Sequence, residues 1–190
     1  MPRLASRPDI RRLIDLYAAF PDPFLKVTPL GQAVMRSPES PLSPAERELI
    51  AAHVSALNGC RYCLGIHGEI ARAFGVDEAL LSALSEDPES APVPERMRPI
   101  LALATALTRE PASVRDHHAE AIRAAGWDDR AVVFTVAVTA YFNMMNRLAE
   151  GFGLTVGPEE ARAAGAMMAE GGYTAVRDAA AARAGIRPGD

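Results

Sequence analysis

The sequence predicts an all-α fold, on three observations. Apolar residues recur at three- and four-residue spacing along most of the chain, the period of an amphipathic helix. About half of the residues (49%) are apolar and alanine is abundant, which suits packed helices and argues against disorder. The one β-branched and aromatic run, Val132 to Val138, has no second strand to pair with, and an isolated strand cannot satisfy its backbone.

In order along the chain, residues 1–45 contain eight prolines, a density that forbids long helices. A short helix fits Ile10 to Phe20, where Ile10, Leu13, Ile14 and Tyr17 keep helical spacing. The rest of this segment is expected to be an extended arm, covering its own subunit or wrapping a neighbour. Ser43-Pro44-Ala45-Glu46 is a strong helix start: a capping serine, a proline suited to the first helical position, and a glutamate that completes a capping box. That helix runs to about Leu57, with Leu49, Ile50, His53, Val54 and Leu57 facing inward and Glu48 at the edge of the stripe. Asn58-Gly59 breaks it. A second helix covers Arg61 to Phe74, and Asp77 caps a third through Leu84. Ser85 to Pro94 reads as a surface loop. Helices follow at Glu95–Thr108 and Pro111–Ala125, then a buried central helix over Ala131–Gly151, and another over Pro158–Glu170. The tail from Gly171 is expected to fray. The chain is thus one domain over 1–190: an arm (1–42), a helical core (43–170) and a tail (171–190).

A net charge of -4 gives no basic footprint for nucleic acid and no polybasic membrane patch. No apolar run approaches the ~18 residues of a membrane span, and the first residues do not read as a secretory signal. The only two cysteines, Cys60 and Cys63, stand together as C-x-x-C. That usage points to a cytoplasmic protein and to catalysis or metal binding, not to a disulfide scaffold.

The stretch Glu48 to His67 carries the chemistry. Cys60 falls at a helix N-terminus, Cys63 one turn in, and His67 four residues beyond, so all three side chains share one stripe. Free N–H groups and the positive dipole end favour a thiolate there. His67 can take a thiol proton, and Glu48 on the preceding helix can orient His67 if the two helices form a hairpin. A second thiol nearby can trap an oxidised first one. Zinc is the rival reading, but Cys60 and His67 on one straight helix lie about 10 Å apart along the axis, a poor clamp. His53 is a possible relay member or a core histidine. Tyr62 either donates near the thiols or packs. His117 and His118 read as surface, and Trp127 with Met144 and Met145 as core or interface. Asn143, Asn146 and Arg147 serve helix ends, a subunit contact or a substrate.

The spacing Glu48, Cys60, Cys63, His67, within SPAERELIAAHVSALNGCRYCLGIH, resembles the signature of the AhpD-like and carboxymuconolactone decarboxylase-like superfamily, in its peroxidase-related branch. A weaker echo lies in Ala140 to Ala149. The resemblance implies an AhpD-like helical bundle, a homo-oligomer (dimer, trimer or hexamer) and a thiol-dependent alkyl hydroperoxide reductase. Cys63 would attack the peroxide, Cys60 would resolve the sulfenic acid, and Glu48 with His67 would relay the proton. No cofactor is implied. The expected partners are a small hydroperoxide and an external dithiol reductant, lipoyl or thioredoxin-like. One departure is Tyr62, where AhpD itself carries a histidine between the cysteines. Two alternatives stand beside this reading: a lactone decarboxylase, which the cysteines argue against, and a non-enzymatic redox sensor whose disulfide switches a surface.

Overall fold

A computed structural model of the chain describes residues 3–186. Within them it is built from helices α1 (Leu13–Ala19), α2 (Pro21–Leu25), α3 (Val27–Arg36), α4 (Pro44–Leu57), α5 (Arg61–Ala73), α6 (Glu78–Glu86), α7 (Arg98–Arg109), α8 (Asp116–Ala124), α9 (Asp129–Phe152) and α10 (Pro158–Ala184). Among the described residues there is no strand, and no helix is long and apolar enough to cross a membrane.

The capping box forms as the sequence predicts. Ser43 Oγ accepts from Glu46 N–H, and Glu46 Oε2 accepts from Ser43 N–H at 2.7 Å. The β-branched run is helical: Asp128 caps α9, whose inner face buries Val138, Phe142, Met145 and Asn146 in the core. Val133, Val136 and Met144 stay exposed on its outer face.

Two expectations are overturned. The arm is largely helical, because its prolines fall where they cost nothing. Pro21 opens α2, and Pro23 and Pro29 are third residues of their helices, where no N–H has an intrahelical acceptor to reach. The arm lies on its own chain. Thr155 N–H donates to Arg11 O at 2.9 Å, and α1 and α3 pack on α10.

The tail also does not fray before residue 185. α10 continues through a kink at Gly172, whose φ of 64° and ψ of -161° are open to glycine. Gln32 of α3 holds the kink by accepting from Tyr173 N–H at 2.9 Å. Burial of Tyr173 and Ala180 anchors the second half of the helix. The last tail residues, 187–190, lie outside the described residues.

Candidate active site

A helix ending delivers the cysteines. At the end of α4, Gly59 takes a φ of 66°, a left-handed value natural to glycine. Gly59 N–H then donates to Ala56 O and Cys60 N–H to Ser55 O, the paired bonds of a Schellman motif. The chain reverses within these residues and Cys60 becomes the N-cap of α5. α4 and α5 therefore pack as the hairpin that the site requires, and both thiols are free and buried.

The same hairpin brings Glu48 to His67. Sequence reading put Glu48 at the edge of a stripe, but its side chain is 0% exposed. Its two oxygens have separate partners. Oε2 accepts from His67 Nδ1 at 2.7 Å, and Oε1 accepts from Arg36 Nη1 at 2.8 Å. A carboxylate that accepts twice leaves Nδ1 as the protonated nitrogen of His67 and Nε2 as its free acceptor. Phe142 meets the His67 ring edge to face at 4.4 Å between centroids, and Tyr173 stacks on it at 6.2 Å.

Cys63 and His67 both line a cavity of about 300 Å³. Its wall is apolar and aromatic, with Tyr17, Ile66, Phe142, Met145 and Tyr173 among its members. Cys60, also buried, is not part of this wall. The charged lining residues Arg12, Glu160 and Arg183 are already paired. Arg12 reaches Asp15 at 3.2 Å and Glu160 at 3.6 Å, while Arg183 reaches Asp15 at 2.7 Å.

The two thiols act on each other, and this sets their ionisation. The neighbouring Cys63 thiol holds Cys60 below the usual thiol range, against the pull of burial. The same neighbour effect, with burial, pushes the Cys63 thiol well up. The pair thus gives up one proton readily and resists losing the second. The first charge belongs to the coupled pair, of which Cys63 is the sulfur facing the cavity. Asn146 faces Cys63 and favours charge on that sulfur. Asn146 is itself held, its Nδ2 donating to Ser55 Oγ at 3.1 Å and its Oδ1 accepting from Asn58 Nδ2 at 2.9 Å.

Glu48, Cys60, Cys63 and His67 are therefore gathered in one place. Tyr62 lines the same cavity, but its hydroxyl accepts from Leu13 N–H at 3.0 Å and so ties α1 to α5. Burial raises its phenol well above the usual range. His53 is not part of the site. Its Nε2 lies 2.8 Å from Thr105 Oγ1 on α7, beside the 88–93 loop on another face of α4. Arg36, Tyr141 and Tyr173 belong to the site and were missed from sequence. Arg36 had a faint signal, as the basic end residue of a segment with helical spacing, but the prolines masked that helix. Among the described residues no group of three His, Cys, Asp or Glu gathers as a metal site.

Fold and site together define a helical protein whose C-x-x-C presents one thiol, Cys63, to an apolar cavity beside a glutamate-held histidine. The carboxymuconolactone decarboxylase family model matches residues 21–92. A peroxidase-related protein from a Silicibacter species is 32% identical, with 80% of this chain and 79% of that chain covered and a TM-score of 0.73. A peroxidase-related protein with an AhpD core from Ralstonia eutropha is 27% identical over 83% of this chain and 84% of its own, also at 0.73. The debrominase Bmp8 shares the fold at 21% identity, 82% coverage of each chain and a TM-score of 0.66. The comparison with curated proteins gives no match. The chain belongs to the AhpD-like, carboxymuconolactone decarboxylase-like superfamily.

Proposed function

We propose that this protein is a thiol-dependent peroxidase that reduces organic hydroperoxides with the Cys60–Cys63 dithiol. One observation carries the reading: Cys63 and His67 line the same apolar cavity, and Glu48 holds His67 from behind. Relatives described as peroxidase-related support it.

The chemistry begins from the dithiol. His67 Nε2, directly or through one water, takes one proton from the sulfur pair, and Glu48 meets the imidazolium charge. The proton left between the sulfurs moves to Cys60, so that the thiolate faces the cavity at Cys63. Its Sγ attacks the terminal oxygen of ROOH. The O–O bond breaks, and the departing alkoxide takes the proton from His67 as ROH. Cys60 sulfur then attacks the Cys63 sulfenic sulfur. A disulfide forms, and hydroxide leaves with the Cys60 proton as water. An external dithiol, lipoyl or thioredoxin-like in this reading, restores the pair by exchange.

The cavity is too large and too apolar to be specific for hydrogen peroxide, so a bulky organic hydroperoxide is the better substrate in this reading. A lactone decarboxylase would need cationic groups for its carboxylate substrate, and both arginines of the cavity wall are already matched by Asp15 and Glu160.

The test is steady-state reduction of cumene hydroperoxide and of hydrogen peroxide with a dithiol donor. Wild type should turn over and prefer the bulky peroxide. Cys63→Ser should lose turnover, and Cys60→Ser should stop after a single sulfenic acid forms. Full turnover in Cys63→Ser would remove the assignment.

A further inference from the structure

We propose that Arg36 is the positioning residue that fixes the charge and ring orientation of the Glu48–His67 pair. The proposal rests on His67 being the proton acceptor of the peroxidase reading, and it assigns what keeps that acceptor ready.

Glu48 is fully buried, and a buried carboxylate persists only when paired and hydrogen-bonded. With His67 as its only partner, the proton between Oε2 and Nδ1 could rest on either atom. Arg36 removes that freedom. Its Nη1 donates to Glu48 Oε1 at 2.8 Å, so the carboxylate stays an acceptor and Nδ1 stays the donor. Nε2 is thereby left bare on the side away from Glu48.

Arg36 is itself held from several sides. Its guanidinium carbon lies 5.0 Å over the Phe74 ring and 5.5 Å over the Tyr173 ring. Its remaining donors reach Met35 O at 3.0 Å and Met168 O at 3.4 Å. It therefore joins α3 to α4, α5 and α10 at the base of the site.

The neighbouring ionisable groups do not substitute for it. Arg47, also buried, turns its guanidinium to Ser37 O at 2.9 Å and Val34 O at 3.5 Å, closing the end of α3. Tyr141 from α9 and Tyr173 from α10 face Glu48 as phenols kept neutral by burial. Cys63 faces the cavity from α5 itself. Among the described residues around Glu48, only Arg36 brings a positive charge to its second oxygen.

The experiment compares wild type with Arg36→Gln, Arg36→Lys, Glu48→Gln and the double variant Arg36→Gln/Glu48→Gln, in full-length reduced protein. Two readouts are used. Nitrogen-15 NMR of the His67 ring reports its tautomer, assigned by its loss in His67→Asn. The pH dependence of iodoacetamide alkylation reports the sulfur pair.

Wild type should show Nδ1–H with bare Nε2 at neutral pH. Arg36→Gln should give mixed tautomers, an acid limb of alkylation moved up by about one pH unit or more, and a rate near neutral pH roughly tenfold lower. Arg36→Lys should recover most of the rate. In the Glu48→Gln background, which carries no charge to balance, Arg36→Gln should change nothing further. A folded Arg36→Gln with the wild-type tautomer and pH profile would overturn the proposal. If that variant does not fold, the pair in the Glu48→Gln background decides: an equal loss there also overturns it. Absence of peroxide turnover in wild type alongside the expected NMR shift would remove the peroxidase and leave the role of Arg36 standing.

Discussion

His53 offers a sharp test of where the proton relay ends. In the unfolded chain its ring titrates near ~6.5. In the folded protein burial is the main cause that pushes it down to about 4, with the nearby Arg109 adding and Glu89 opposing. Its Nε2 meets Thr105, and the Pro88 carbonyl nearby offsets the burial only in small part. Between those two values the unfolded chain binds a proton that the folded chain refuses. Stability therefore falls as pH drops from about 6.5 toward 4. At 1.36 kcal/mol per unit, the loss from this one residue at about pH 4.5 is roughly 2.5 kcal/mol. His53→Gln keeps a side chain able to reach Thr105 but cannot titrate. Urea unfolding of both proteins at about pH 7 and pH 4.5 isolates the term. Wild type should lose about 2.5 kcal/mol more than the variant, while the neutral-pH alkylation rate of the cysteines stays the same in both. An equal loss in the two proteins would refute the burial argument. A fall in thiol reactivity in His53→Gln would return this histidine to the relay.

Other expectations follow from neighbouring contacts. Gly31 lets the arm approach the cavity wall: a Cβ there would overlap Tyr141 Oη and lie 2.7 Å from Tyr173 Cδ1. Gly31→Ala should cost about 1–3 kcal/mol in urea unfolding and raise KM for a bulky peroxide. Asn146→Ala would remove the donor to Ser55 Oγ and one acceptor of Asn58 Nδ2, leaving them Ala51 O and Asn143 Oδ1, at about 0.5–1.5 kcal/mol, and push the Cys63 thiol further up, readable as slower alkylation at a fixed pH. Burial would raise Asp15, but Arg12 beside it outweighs burial and holds the carboxyl below its usual range. The resulting stabilisation is complete above the ordinary carboxylate value of ~3.9 and is lost as pH falls through the lower folded value. Asp15→Asn should accordingly destabilise the arm at neutral pH, seen as faster amide exchange in α1, and the difference from wild type should close in acid.

The part of the site that could be read from sequence is the part made by one hairpin. Glu48, Cys60, Cys63 and His67 lie within twenty residues, so helical spacing and one Asn-Gly break were enough to gather them. The rest comes from helices distant in the chain, where spacing says nothing. Tyr173 reaches His67 only because Gly172 kinks α10 and Gln32 holds the kink. Arg36 was hidden by a misreading of proline: density alone argued for an extended arm, while position within the first helical turn was what mattered. The inward stripe of α4 was right for His53 but too narrow for Glu48, since two helices pack on that flank and bury the edge as well as the centre.

The Schellman ending of α4 ties the two halves of the chemistry together. One glycine sets the reversal that makes Cys60 a cap, and that same reversal aligns α5 so that His67 returns to Glu48. A residue with a side chain at position 59 would strain the left-handed turn and shift the sulfurs and the acid–base pair at once. Sulfur reactivity and proton handling are therefore coupled through the backbone, and evolution or engineering that lengthened this bend would have to rebuild both.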